Sequence, residues 1–104
     1  MSTISASTTS STAYKVTADT TGTLVLQTGA TPTTAVTIDG SQNTVLAGTI
    51  RMAAYTVATL PAAGTAGRRA YVTNALTPVS LSAVVGGGAV TVPVFDNGTT
   101  WIVG

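Results

Sequence analysis

The stretch VPVFDNGTTWIVG, residues 92–104, reads as a short strand, a turn and a second strand that carries Trp101, the only tryptophan of the chain. Asn97-Gly98, between Asp96 and Thr99, fits a two-residue type I′ turn, which requires positive φ at both central positions. Pro93 has no amide proton to give to a ladder, so its strand must face an edge or a bulge there. The hairpin sets an all-β fold class. It also raises a packing question, because an indole needs large neighbours and this chain has few.

The chain has 104 residues and a mass of 10.2 kDa, enough for one domain or two small modules. Chains this small bury a lower fraction of their surface than larger ones. Hydrophobic residues make up 44% of the sequence, with only one Phe, one Trp and three Tyr among them. The rest are mostly Ala and Val, which remove little apolar area per side chain. There is no cysteine to staple the fold, and the remaining route for a thin core is to share it with copies of the same chain. Charged residues are 7%, against about 25% in soluble domains. A lone monomer with that surface is sticky, and a homo-oligomer is the expected state.

The net charge of +1 gives no field to steer the chain toward nucleic acid or an anionic membrane. No run of eighteen apolar residues is present to span a bilayer. The opening MSTISASTTSSTAYK lacks the apolar stretch of a secretory signal, so the product is expected to be soluble and made in the cytoplasm.

Along the chain, Ser and Thr interleave with Val, Ile and Leu, which favours pleated strands over helices. Three segments follow. Residues 1–12, MSTISASTTSST, have only Met1, Ile4 and Ala6 as apolar anchors, too few to offset an ordering entropy of about 1–2 kcal/mol per residue. They are read as an extended N-terminal arm held by a partner. Residues 13–50 form a small meander. Its strands are TLVLQ (23–27), TAVTI (34–38) with Val36 and Ile38 on one face, and NTVLAG, with Asp39-Gly40 as a hairpin turn. Residues 51–104 form a second β module. There MAAYTVATL is favoured as a strand, and AYVTNA, SLSAVV, VTVPVF and TWIV supply four more, with Gly86 to Gly88 as a tight connection. The expected architecture is two small modules of short antiparallel strands, sandwich- or barrel-like, in an intertwined or closely packed homotrimer.

Catalysis and metal binding need groups this chain hardly has. It contains no His, no Cys and no Glu, and its carboxylates are Asp19, Asp39 and Asp96. Each Asp is expected to bond local backbone amides in a turn. No catalytic residue, metal site or cofactor is assigned, and the chain is read as a non-enzyme. Arg68-Arg69 follow Gly64-Thr65-Ala66-Gly67, but no strand–loop–helix context with a Lys-Ser/Thr makes that a phosphate cradle. Their planar forks suit carboxylates or carbonyls across a subunit boundary instead. Trp101 is expected to fill a cavity made by several copies, as the axis of a homotrimer would provide.

Two stretches resemble segments of tailed-bacteriophage structural proteins, especially tail fibres and related appendages. They are TLVLQTGATPTTAVTIDGSQNTVLAG and LPAAGTAGRRAYVTNALTPVSLSAVVGGGAVTVPVFDNGTTWIVG. The second is similar to a module with LP-x-AGTAG-x-RA-x-VT, then VVGGG, VPV and a DGT-x-W-x-VG ending, from which Phe95, Asp96-Asn97-Gly98 and Thr100 here depart slightly.

The resemblance implies a β-rich virion protein that works as a trimer. With no shaft, heptads or tip domain in the sequence, a capsid decoration (cement) protein on the head surface is expected, with a short tail fibre or head appendage as the alternative. Its partners are then itself and the phage major capsid protein, with neither nucleic acid nor membrane. The capsid-binding arm is expected at Met1, Ser2, Thr3, Ile4, Ser5, Ala6, Ser7 and Thr8, by adding its backbone to a strand edge of the shell. The trimer interface is expected at Tyr71, Phe95, Trp101, Ile102, Arg68 and Arg69.

Overall fold

Alternating β-branched and small polar residues favour the pleated strand, and the described residues form nine of them. The computed structural model describes residues 1–6, 14–17 and 19–104. The chain divides into two compact units, Met1–Ile50 and Arg51–Gly104, each built on one sheet. The fold is all-β in two small sheets, and neither closes into a barrel, because the first and last strands of each order do not pair with one another.

The first unit contains β1 (Ser2–Ala6), β2 (Tyr14–Thr17), β3 (Leu24–Thr28), β4 (Thr33–Ile38) and β5 (Thr44–Leu46), in the spatial order β2-β1-β3-β4-β5. All neighbours are antiparallel except β1 and β3, which are parallel. The sequence reading expects residues 1–12 as an arm held by a partner, whereas residues 2–6 find backbone partners in their own chain. Residues 2–6 are a strand inside their own sheet, with β2 on one side and β3 on the other. Backbone pairing within the chain satisfies the groups that the apolar anchors could not. Ser7 and Thr8, with the rest of 7–12, lie outside the described residues.

Register sorts the side chains of this sheet, since directly paired residues share a face. Val16 pairs with Ile4, Ile4 with Leu26, Leu26 with Val36 and Val36 with Leu46, so one apolar rung crosses all five strands. Leu24 and Ile38 pair on the same side, two residues along. The opposite face carries Thr17, Thr3, Val25, Thr37 and Val45. Burial is concentrated at the centre of the sheet: Val25 and Ser5 are buried and Ile4, Val36, Leu24 and Ile38 half-buried, whereas Val16, Val45 and Leu46 on the edge strands, and Leu26, are exposed.

The Asp39 turn differs from a two-residue hairpin. Ile38 pairs with Thr44, leaving a five-residue loop, and the positive φ falls on Gln42 (69°), not on Gly40. The Asp39 carboxylate shapes the loop by accepting from the amides of Ser41 (2.8 Å) and Asn43 (3.0 Å) and from the Asn43 side chain (3.0 Å).

The second unit contains β6 (Ala54–Tyr55), β7 (Arg69–Ala75), β8 (Val90–Asp96) and β9 (Trp101–Val103), in chain order across the sheet. MAAYTVATL is not one strand. It gives two residues of β6 and then a 3-10 turn, Val57–Thr59. Thr56 and Thr59 satisfy each other's backbone and side chains across that turn, and the Val57 amide donates to Asn74 Oδ1 at 2.9 Å. SLSAVV likewise contributes a single isolated bridge, Ala83 opposite Ile102, along the outer side of β9.

Pro93 lies in β8, an interior strand, and is tolerated because of where β9 ends. The Asp96 amide points to β7, donating to Arg68 O, so alternation aims the Pro93 nitrogen at the β9 side. There β9 has finished at Val103, and Gly104 donates to Pro93 O at 2.9 Å without needing a return bond.

The core of this unit is Ala70, Val72, Ala75, Val94 and Trp101, lined by Tyr55, Val57, Leu60, Ala63, Val84 and Val92. A Cβ on Gly88 would collide with the backbone of Ala75 and Leu76, so only glycine lets the connection approach the end of β7 this closely.

Candidate functional site

Alternation along β8 puts Val92, Val94 and Asp96 on one side, the inward one, so a carboxylate enters the second core behind two valines. Asp96 is fully buried. Its Oδ2 accepts from Arg68 Nη2 at 2.7 Å, from Thr65 N at 2.9 Å and from Gly64 N at 3.0 Å, and its Oδ1 accepts from Gly98 N at 2.8 Å. The Gly67 amide bonds the Asp96 carbonyl at 2.8 Å. One side chain therefore gathers the GTAG loop, an arginine and the C-terminal hairpin.

Burial raises the Asp96 pKa, but the Arg68 guanidinium and the amides of Gly98, Thr65 and Gly64 outweigh it and hold the group down at about 2. Ringed by donors and ionised at neutral pH, this carboxylate neither gives nor takes a proton there. It holds the fold in place. Only the Gly98 contact is the local turn bond expected of Asp96; the others cross at least 28 residues.

Arg68, expected from the sequence to pair across a subunit boundary, has partners within its own chain. Besides Asp96, Nη2 donates to Ala62 O at 2.6 Å, and the guanidinium lies 5.2 Å from the centroid of the Trp101 ring. Trp101, expected in a cavity made by several copies, likewise has partners within its own chain. It is 8% exposed, packed on Ala70, Val72 and Val94, and its Nε1 donates to Pro61 O at 2.7 Å. The segment Pro61–Arg68, folded back over the sheet, supplies partners for the indole that composition alone does not reveal.

The remaining residues expected at an interface occupy the other side of this sheet. Arg69 pairs with Phe95, Tyr71 with Pro93 and Phe95 with Ile102, and the Arg69 guanidinium lies 5.8 Å from the Phe95 ring centroid. Tyr71, Phe95 and Ile102 are half-buried, and Arg69 is exposed. Arg68 and Arg69, adjacent in sequence, thus serve opposite faces.

The closing turn is a four-residue loop, since Asp96 pairs with Trp101 and positive φ occurs at Gly98 (94°) alone of the two central residues. Asn97 Oδ1 shapes it by accepting from Thr99 N and Thr100 N, both at 2.9 Å. Among the described residues no three His, Cys, Asp or Glu gather at a metal-binding spacing, and no helix is long and apolar enough to cross a membrane.

The fold and site define an all-β chain of two single-sheet units, one of them tied through an Arg68–Asp96 pair whose carboxylate is buried. Compared with protein-family models, curated proteins and solved structures, the chain matches none.

Proposed function

We propose that this chain is a non-enzymatic structural protein of a tailed-phage particle, acting as a homotrimer. The observation that carries this reading is the joining of the two ends of the phage-like module. LPAAGTAGRR and DNGTTW, distant in sequence, meet at Asp96, where Arg68, Gly64, Thr65 and Gly98 converge, and at Trp101, which bonds Pro61. The residues that make the resemblance recognisable hold the module together, as expected of a structural part. The thin composition supports self-association, and the sandwich-like packing expected from the sequence would arise between copies.

On the head, such a trimer acts as a decoration protein. By binding the assembled lattice and not free subunits, it stabilises the shell against internal pressure by mass action. The partner is then the major capsid protein, and the location is the particle surface. A second placement, in a short fibre or head appendage, is favoured by the position of β1. With residues 2–6 already paired on both sides, they are not free to add a strand to a shell. Gold labelling of particles carrying an epitope tag after Gly104 tests both placements. Label on the head supports decoration, label on the tail or a projection supports the appendage, and unlabelled particles overturn a virion role.

A further inference from the structure

Asn97-Gly98 is the sole Asn-Gly pair of the chain, and Asn97 is exposed to water. In such a pair the glycine amide nitrogen can close a five-membered ring on the asparagine side-chain carbonyl, because no Cβ on the glycine obstructs it. Ring closure needs a nucleophile and a free electrophile. Gly98 N must shed its proton, and the Asn97 carboxamide must swing onto it.

The folded hairpin withholds both. Gly98 N donates to Asp96 Oδ1 at 2.8 Å, and that carboxylate is fully buried and ionised at neutral pH. A negative charge against the proton disfavours the amide anion that would attack. Asn97 Oδ1 is fixed by Thr99 N and Thr100 N, both at 2.9 Å, while Asn97 N donates to Thr100 O at 3.1 Å. Two donors on Oδ1 also polarise the carbonyl, which by itself favours attack. With Gly98 N engaged, that polarisation has no nucleophile to serve. Arg68, Gly64 and Thr65 pin the Asp96 carboxylate in turn, so the restraint on Gly98 lasts as long as those contacts do.

We propose that Asn97 is a latent modification site, shut by the contact of Gly98 with Asp96 and released when the second unit opens around the Arg68–Asp96 pair. On release, solvent takes the Gly98 amide proton and a bond forms between Gly98 N and Asn97 Cγ. The Cγ–Nδ2 bond breaks, and Nδ2 leaves as ammonia with a proton returned from solvent. Water then opens the cyclic imide at either carbonyl, leaving aspartate or isoaspartate at position 97. The balance is one water in and one ammonia out, with no oxidation or reduction. Isoaspartate routes the main chain through its own Cβ and Cγ, which lengthens a loop whose ends, Asp96 and Trp101, are paired. The lengthened loop does not repeat the native bonds, so a passing opening of this unit becomes a permanent change.

Peptide mapping of the full chain during incubation at neutral pH tests this, with isoaspartate at position 97 as the readout and the free peptide VFDNGTTW (residues 94–101) as the unrestrained reference. The folded wild type is expected to be modified at least roughly 10-fold more slowly than the peptide. Asp96→Asn, which removes the charge facing Gly98 N, is expected to be modified faster than the wild type. Trp101→Phe loosens the same unit without touching the Asp96 contacts and separates the named contact from stability in general. With each variant held equally far below its own melting temperature and referred to the peptide there, Asp96→Asn should be the faster. Should Asp96→Asn fail to fold, Arg68→Lys takes its place with the same expectation. A folded wild type modified as fast as the peptide overturns the latent site, and equal rates in the two variants overturn the role of Asp96. Chains carrying isoaspartate that regain native Trp101 emission overturn the permanence of the change.

Discussion

Arg68 and Asp96 are 28 residues apart in sequence and 2.7 Å apart in the structure, and this pair closes the second unit. Asp96 has no solvent contact, whereas the Arg68 side chain is 35% exposed, so the carboxylate depends on its partner more than the guanidinium does. Arg68→Ala should leave a buried carboxylate with only backbone donors and lower the melting temperature markedly. Arg68→Lys, which keeps the charge but not the fork that also reaches Ala62 O, should fall between the two. Thermal melts followed by Trp101 fluorescence give the order. Equal melting temperatures for all three proteins would contradict it.

Acid should act on the same pair. The folded pKa of Asp96, about 2, is below the ordinary 3.8, so its contribution to stability is complete at neutral pH, declines as pH falls through 3.8, and is lost below about 2. Asp39, whose pKa is lowered by the Asn43 side chain and by the amides of Asn43 and Ser41, has the same sign in the first unit. Melts of the wild type between pH 6 and pH 2 should show the second unit weakening in that window. Asp96→Asn should be less stable at pH 6 and flatter below it. An unchanged wild-type melting temperature at pH 2.5 would rule this out.

Trp101→Ala should destabilise the second unit by about 3–5 kcal/mol, the usual cost of truncating a core aromatic. Trp101→Phe keeps most of the packing on Ala70, Val72 and Val94 but loses the bond to Pro61 O. It should cost less, with the lost hydrogen bond worth about 1 kcal/mol. Denaturant titrations followed by circular dichroism measure both, and a neutral Trp101→Ala would place the indole outside the core.

Gly88→Ala should destabilise by about 1–3 kcal/mol, because the new methyl collides with the backbone of Ala75 and Leu76. Gly87→Ala meets no such neighbour and is strained only through its φ of 98°. The ranking of the two in the same melts checks whether close approach or backbone angle sets the glycine run.

Much of this was legible in the chain. Alternation located β3, β4, β7 and β8, and it also carried the signal for Asp96, which shares parity with Val92 and Val94 and so had to point inward. What alternation could not give was the partner, because the Pro61–Arg68 segment has no periodicity and docks through backbone carbonyls and amides. The same gap hid the partners that Trp101 and Arg68 have within their own chain. MAAYTVATL misled because Thr56 and Thr59 can cap a 3-10 turn as readily as they can line a strand. Asp39-Gly40 and Asn97-Gly98 marked their turns correctly, but each acidic or amide side chain bonded amides further along and lengthened the loop. The β1 strand was missed because its pairing with β3 is parallel and its anchors are few, so only the tertiary ladder reveals it.

The claim that this is a structural protein built by self-association is tested most directly by the mass of the purified full-length chain in solution. Sedimentation equilibrium at micromolar concentration should return three times the 10.2 kDa chain mass, with dissociation on dilution accompanied by loss of the first unit's β signal. A stable, fully folded 10.2 kDa monomer at that concentration would contradict it.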